Sequence, residues 1–155
     1  MAAEHRVRQA QPADLDALCA LEAATFSYDQ LGRRSFAHML RSPSAQVYVI
    51  EPARGSNSGE LVGYAIILTR RGSHYWRLYS MAISAQARGL GLGKTLLCYL
   101  LEQAKPQAQG MRLEVKCDNQ AGLALYRQLG FEVTDILPGY YSDGTDGYKM
   151  QLSWN

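Results

Sequence analysis

An arginine and three alternating glycines stand between an apolar run that reads as a strand and one that reads as a helix: Ser84-Ala85-Gln86-Ala87-Arg88-Gly89-Leu90-Gly91-Leu92-Gly93-Lys94-Thr95-Leu96-Leu97. Glycine lets the backbone turn sharply and approach a ligand closely. A helix start adds unpaired N–H groups and the positive end of its dipole. Such a strand–loop–helix is a cradle for pyrophosphate. A turn with no ligand would rarely carry three glycines, since each weakens a helix start by up to ~1 kcal/mol relative to alanine.

Two well-known phosphate loops fail on spacing. The G-x-x-x-x-G-K-[ST] loop finds its end in Gly93-Lys94-Thr95, but its first glycine would fall on Arg88. The G-x-G-x-x-G dinucleotide fingerprint does not fit the strict alternation of Gly89, Gly91 and Gly93. What remains is Arg88-x-x-Gly91-x-Gly93 followed by a Leu-Leu helix.

A chain of 155 residues suits one domain, 1–155, with one sizeable core. A net charge of +2 gives no argument for nucleic acid. Cys19, Cys98 and Cys117 are odd in number and lie in or beside apolar segments, so no disulfide framework is expected. The N-terminus lacks the apolar core of a signal peptide, and no apolar run reaches membrane-spanning length, so a cytoplasmic setting is expected. His5, His38 and His74 are not paired with cysteines at ligand spacing, so no metal is expected.

Periodicity and turn residues predict helices from Pro12 to near Phe26 and over 33–41, 92–104 and 119–129. Strands are predicted at 46–51, 61–68, 75–83, 111–115, 131–137 and 148–152, with a further edge strand at 6–9. The strands at 46–51 and 61–68 should form a hairpin through a turn at 54–59. The order implies one mixed α/β domain without a linker or repeat.

From Leu113 the chain reads Leu-Glu-Val-Lys-Cys-Asp-Asn-Gln-Ala-Gly-Leu-Ala-Leu-Tyr-Arg-Gln-Leu-Gly-Phe, followed later by Tyr140-Tyr141-Ser142-Asp143-Gly144 and Asp146. Together with the glycine loop, this resembles the GNAT superfamily of acyltransferases over roughly residues 60 to 153. Within it, the chain is similar to the ribosomal-protein-alanine N-acetyltransferase (RimI-like) type. The resemblance implies a central, mostly antiparallel sheet with a parallel strand pair at the cofactor cleft, flanked by about four helices. It also implies acetyl-CoA as co-substrate. The backbone of Met81, Ala82 and Ile83 would hold the pantetheine arm, and Arg88, Gly89, Leu90, Gly91, Leu92, Gly93 and Lys94 the pyrophosphate. Asn119 would touch the cofactor, Glu114 would act as general base, and Tyr126, beside the cofactor, would protonate the leaving thiolate.

The residues themselves agree in part. Strand alternation puts Met111, Leu113 and Val115 on one face and Arg112, Glu114 and Lys116 on the other, so Glu114 fits a cleft wall or a solvated strand face. Asn119, Gly122 and Tyr126 form one stripe of a helix. Gly122 costs that helix about 1 kcal/mol relative to alanine, a sacrifice that clearance for the cofactor or tight helix–sheet packing would explain. Tyr126 taken alone fits a core position equally well.

The acceptor should enter opposite the cofactor. Tyr28 and Asp29 offer an aromatic ring and an acid for an ammonium, and the resemblance implies that Tyr140 and Tyr141 contact the acceptor backbone. The chain departs from the RimI-like pattern after the first helix, with Tyr28-Asp29-Gln30-Leu31 where those proteins carry Pro-Trp. At pH 7, deprotonating an α-amine of pKa ~7.8 costs about 1 kcal/mol, and a lysine of pKa ~10.4 about 4.6 kcal/mol. A carboxylate base can assist either. From the two motifs with Glu114 and Tyr126, the resemblance implies acetyl transfer to a primary amine, preferably a protein or peptide N-terminus, by a monomer or homodimer. A small amine (polyamine, amino acid or antibiotic) as acceptor is the alternative, and a non-catalytic acyl-CoA sensor a more distant one.

Overall fold

β-Strands β2 (Ala45–Pro52) and β3 (Gly63–Leu68) are almost unbroken apolar runs, because the sheet they build is covered on both faces. Val47 and Val49 point into one core, while Tyr48 and Ile50 point into the other. The computed structural model describes residues 5–25, 31–52 and 61–154. The turn expected at 54–59 lies outside them, but the hairpin it serves is present, with β2 and β3 antiparallel.

The other strands are β1 (His5–Gln9), β4 (Tyr75–Ile83), β5 (Gly110–Lys116), β6 (Glu132–Leu137) and β7 (Gly147–Ser153). They complete one sheet in the order β1-β2-β3-β4-β5-β7-β6. Neighbouring strands run antiparallel except β4 and β5, which are parallel. The edge strand expected near the N-terminus is β1, which is paired with β2 alone.

Among the described residues four helices flank the sheet: α1 (Leu15–Thr25), α2 (Arg33–Arg41), α3 (Leu92–Ala104) and α4 (Gln120–Gln128). Helices α1 and α2 cover one face through Leu18, Leu21 and Phe36. Helix α3 covers the other with Leu92, Leu96, Leu97, Leu100 and Leu101, and α4 adds Leu123 and Tyr126. Truncating a fully buried leucine such as Leu96 to alanine costs about 2–5 kcal/mol. The helix expected from Pro12 begins instead as a 3-10 turn, Pro12–Asp14, with α1 starting at Leu15. There the Asp14 carboxylate accepts the Gln11 N–H at 2.7 Å, which closes the first turn tightly.

No helix among the described residues is long and apolar enough to cross a membrane.

Candidate active site

The parallel ladder is short. β4 and β5 pair from Tyr75↔Gly110 to Leu78↔Leu113, and beyond that the two strands part. The cause lies on the other side of β4. Ile67 pairs with Leu78 but Ile66 pairs with Ser80, so Tyr79 is an extra residue, a β-bulge. A bulge bends its strand and steepens the twist. It also resets the alternation: Trp76 and Leu78 pack on the α3/α4 core and so do Met81 and Ile83, whereas Ala82 turns to the α1/α2 side. A cleft of ≈ 680 Å³ opens where the strands separate, and it is lined from both sides of the sheet.

The glycine loop lies at the C-terminal end of β4. Gly89 (φ 84°) and Gly91 (φ 75°) are both left-handed, which any side chain would resist. Gly91 is the N-cap of α3 and supplies no side-chain cap. The first helical bond there is Thr95 N–H to Gly91 C=O, at 3.1 Å, so the N–H groups of Leu92, Gly93 and Lys94 have no helical acceptor. Arg88 and Lys94 are exposed on either side, and Arg88 Nε reaches the Ile83 carbonyl at 3.4 Å. Leu90 is 63% exposed, whereas the Leu92 side chain is buried and leaves only its backbone to a ligand. Open helix N–H groups, two cations and a β4 backbone that β5 no longer pairs fit an extended, phosphorylated cofactor such as acetyl-CoA.

Glu114 and Tyr126 both line the cleft, as do Met81 and Asn119. Glu114 is the first residue of β5 beyond the ladder. It is no solvated strand residue: its side chain is 12% exposed, and its Oε1 accepts from Arg77 Nε at 3.0 Å and Nη2 at 2.7 Å. Burial works against the Arg77 charge, but the hydrogen bond and attraction of Glu114 outweigh it and hold the guanidinium above its usual range. The Tyr126 hydroxyl makes no hydrogen bond among the described residues, and burial pushes it up to about 12. It therefore remains a proton donor at neutral pH. Its ring is set by the end of α4, where Gly130 (φ 104°) turns the chain and lets Gly130 N–H reach Arg127 C=O and Phe131 N–H reach Tyr126 C=O, both at 3.0 Å.

Residues 15–131 match the Acetyltransferase (GNAT) family. The chain belongs to that family. It is 36% identical over 144 residues to an uncharacterized protein of Mycobacterium leprae, covering 90% of this chain and 38% of that protein's length. It is 29% identical over 151 residues to a putative [ribosomal protein bS18]-alanine N-acetyltransferase of Bacillus subtilis, covering 96% of this chain and 95% of the relative. The ribosomal-protein-S18-alanine N-acetyltransferase structure from Escherichia coli superposes with a TM-score of 0.84 at 24% identity, over 97% of this chain and 94% of that one. The protein is thus an acetyl-CoA-dependent acetyltransferase with the GNAT fold.

In this acetyltransferase, Gly122 has a reason the sequence did not offer. A Cβ there would lie 2.7 Å from Asn119 Nδ2, because the Asn119 side chain folds back to cap α4 and its Oδ1 accepts the Gly122 N–H at 2.9 Å. Glycine makes room for the cap.

Tyr140 and Tyr141, expected at the acceptor, line the cleft and pack edge to face, with ring centroids 5.0 Å apart. Lys116 Nζ bonds Asp143 Oδ2 at 2.9 Å, ties the loop to β5 and helps bring the Asp143 carboxyl down to about 2. Tyr28 and Asp29 lie outside the described residues.

Sequence reasoning missed Arg77, Ser80 and Glu22 among the cleft residues. Arg77 and Ser80 gave no signal, since both sit on a strand whose bulge has no marker residue. Glu22 did give one: it is an acid in the apolar register of α1. It is 2% exposed, lines the cleft, and accepts from Tyr64 Oη and from Leu31 N–H, the latter at 2.7 Å. Burial first, then the Glu22 hydrogen bond, holds the Tyr64 hydroxyl far above its usual range, so Tyr64 stays the donor. Among the described residues no cluster of histidine, cysteine or carboxylate groups could hold a metal.

Proposed function

We propose that this enzyme acetylates the N-terminal α-amine of a protein or peptide, with Glu114 as general base and Tyr126 as general acid. The observation that carries the reading is that these two side chains, from β5 and α4, face one cleft at the strand separation, beside a loop suited to pyrophosphate. Acetyl-CoA supplies the activated acyl group. The backbone of Met81, Ala82 and Ile83 would hold its pantetheine arm, residues 88–94 its pyrophosphate, and Asn119 a further contact.

Glu114 would take a proton from the acceptor ammonium, directly or through a water, using the Oε2 that Arg77 leaves unbonded. The amine nitrogen then bonds to the thioester carbonyl carbon while a backbone N–H of the separated β4 steadies the oxyanion. As the C–S bond breaks, Tyr126 gives its proton to the thiolate, and the second proton of the attacking nitrogen leaves through water to restore the Tyr126 hydroxyl and yield the neutral amide. The likeness to a putative [ribosomal protein bS18]-alanine N-acetyltransferase supports an N-terminal substrate.

Charge supports a peptide over a polyamine. The two carboxylates that line the described cleft, Glu22 and Glu114, are both engaged by protein donors, so neither is left to bind a second ammonium. The test follows thiol release from acetyl-CoA with short peptides carrying free or blocked N-termini, and with a polyamine pool. Turnover confined to free N-termini is expected. Turnover that survives blocking, or that is found with polyamines alone, overturns the reading.

A further inference from the structure

We propose that Arg77 is a positioning residue that aims the Glu114 carboxylate at the acceptor; this rests on the reading of Glu114 as the general base. Arg77 precedes the last paired residue of β4, and Glu114 follows the last paired residue of β5. The ion pair therefore spans the point at which the backbone ladder stops. Past that point no strand hydrogen bond holds β5 from the β4 side, and a glutamate with three side-chain torsions needs another restraint.

The geometry of the restraint is specific. Nε and Nη2 of Arg77 both converge on one carboxylate oxygen, Oε1, at 3.0 and 2.7 Å. Oε2 makes no hydrogen bond among the described residues. One oxygen is thus anchored and the other is presented. The guanidinium is itself steadied by the Tyr79 ring, 5.3 Å from its centre, so the bulge residue supports the clamp.

A competing cation shows why a clamp is needed. In the β5–β7 ladder Glu114 is the register partner of Lys149, so an ammonium stands on the same sheet face on the far side. Cross-strand partners of opposite charge attract. Without Arg77, Glu114 is drawn toward β7, away from the strand separation. Arg77 holds it toward β4, where the acceptor and the thioester meet.

The test is a double-mutant cycle on acetyl transfer to a peptide with a free N-terminus. Arg77→Gln is expected to lower kcat by about 10- to 100-fold and leave KM for acetyl-CoA within about twofold, with Arg77→Lys in between. In a Glu114→Gln background, Arg77→Gln should cost nothing further, because there is no carboxylate left to aim. A loss of the same factor in both backgrounds shows that Arg77 acts through the sheet or on substrate, and overturns the proposal. Glu114→Gln as active as wild type removes the base itself and the proposal with it, an outcome separable from the first. If Arg77→Gln folds poorly, the Arg77→Lys pair of variants runs the same cycle.

Discussion

Tyr126 and Phe131 are joined twice, by rings that meet edge to face at 5.8 Å and by the Phe131 N–H bonded to the Tyr126 carbonyl at 3.0 Å. The six-residue closure that ends α4 thus fixes a ring that lines the cleft. Tyr126→Phe keeps both links and loses only the hydroxyl. It should lower kcat by about 10²- to 10³-fold. The KM for acetyl-CoA and the thermal midpoint should change little. Steady-state kinetics at saturating peptide check this, and undiminished kcat removes Tyr126 from the acid role.

Gly122→Ala gains about 1 kcal/mol of helix propensity and loses about the same by pushing Asn119 off its cap, so stability should barely move. Asn119→Ala alone should cost about 1 kcal/mol. In the Gly122→Ala background the same change should cost almost nothing. Urea unfolding of the three variants reads the cycle, and additive losses would show that the cap survives beside an alanine.

Arg8 binds two buried carboxylates, bridging Asp14 at 2.9 Å and Glu51 at 2.9 Å, while Arg6 adds a bond to Glu51 at 2.8 Å. The Arg8 hydrogen bond is the chief cause that lowers both carboxyls, against burial. A lowered carboxyl stabilises the fold above the ordinary value near ~4 and loses that effect as pH falls through the folded value. Arg8→Met should therefore destabilise by about 1–3 kcal/mol at pH 7, and by progressively less as the solution is acidified toward pH ~3. Denaturant titrations at the two pH values measure the difference.

At alkaline pH the sign reverses. Burial raises the Tyr126 hydroxyl to about 12, and the Tyr64 hydroxyl is raised further. Groups raised in the fold stabilise it fully below the unfolded value near ~10 and lose that contribution as pH climbs through the folded one. The urea midpoint should hold from pH ~7 to ~9 and decline above ~10, with Tyr126 accounting for on the order of 2–3 kcal/mol of that decline. Tyr126→Phe should flatten this part of the curve. A decline unchanged in the variant would show that the hydroxyl is well solvated.

Helices α2 and α3 and strand β4 were legible to the residue, because glycine, proline and charge punctuate their ends and one period runs through each. The strand separation was legible only through family resemblance. Its local cause, the bulge at Tyr79, is a register mismatch with β3, and neither glycine nor proline marks it. Glu114 could be placed on a polar face, but its partner there is Arg77, a residue 37 positions away in sequence. Glu22 was readable as an acid among leucines. Gly122 was readable as a cost and not as a cap, since the space it leaves is filled by a side chain from its own first turn.

The bulge also gives β4 an unpaired rim in the middle of the sheet. Residues 80–83 keep β3 on one side and have no strand on the other, a stretch of about 13 Å at ~3.3 Å per residue. Such a rim ordinarily invites another chain to add itself as a strand. Here it opens on the cleft beside Tyr126 of α4 and the Tyr140–Tyr141 pair, a setting suited to a thin, extended molecule with its own amide groups. Amide exchange should then alternate along this segment, slow where the N–H faces β3 and fast where it faces the gap, until a ligand seals it.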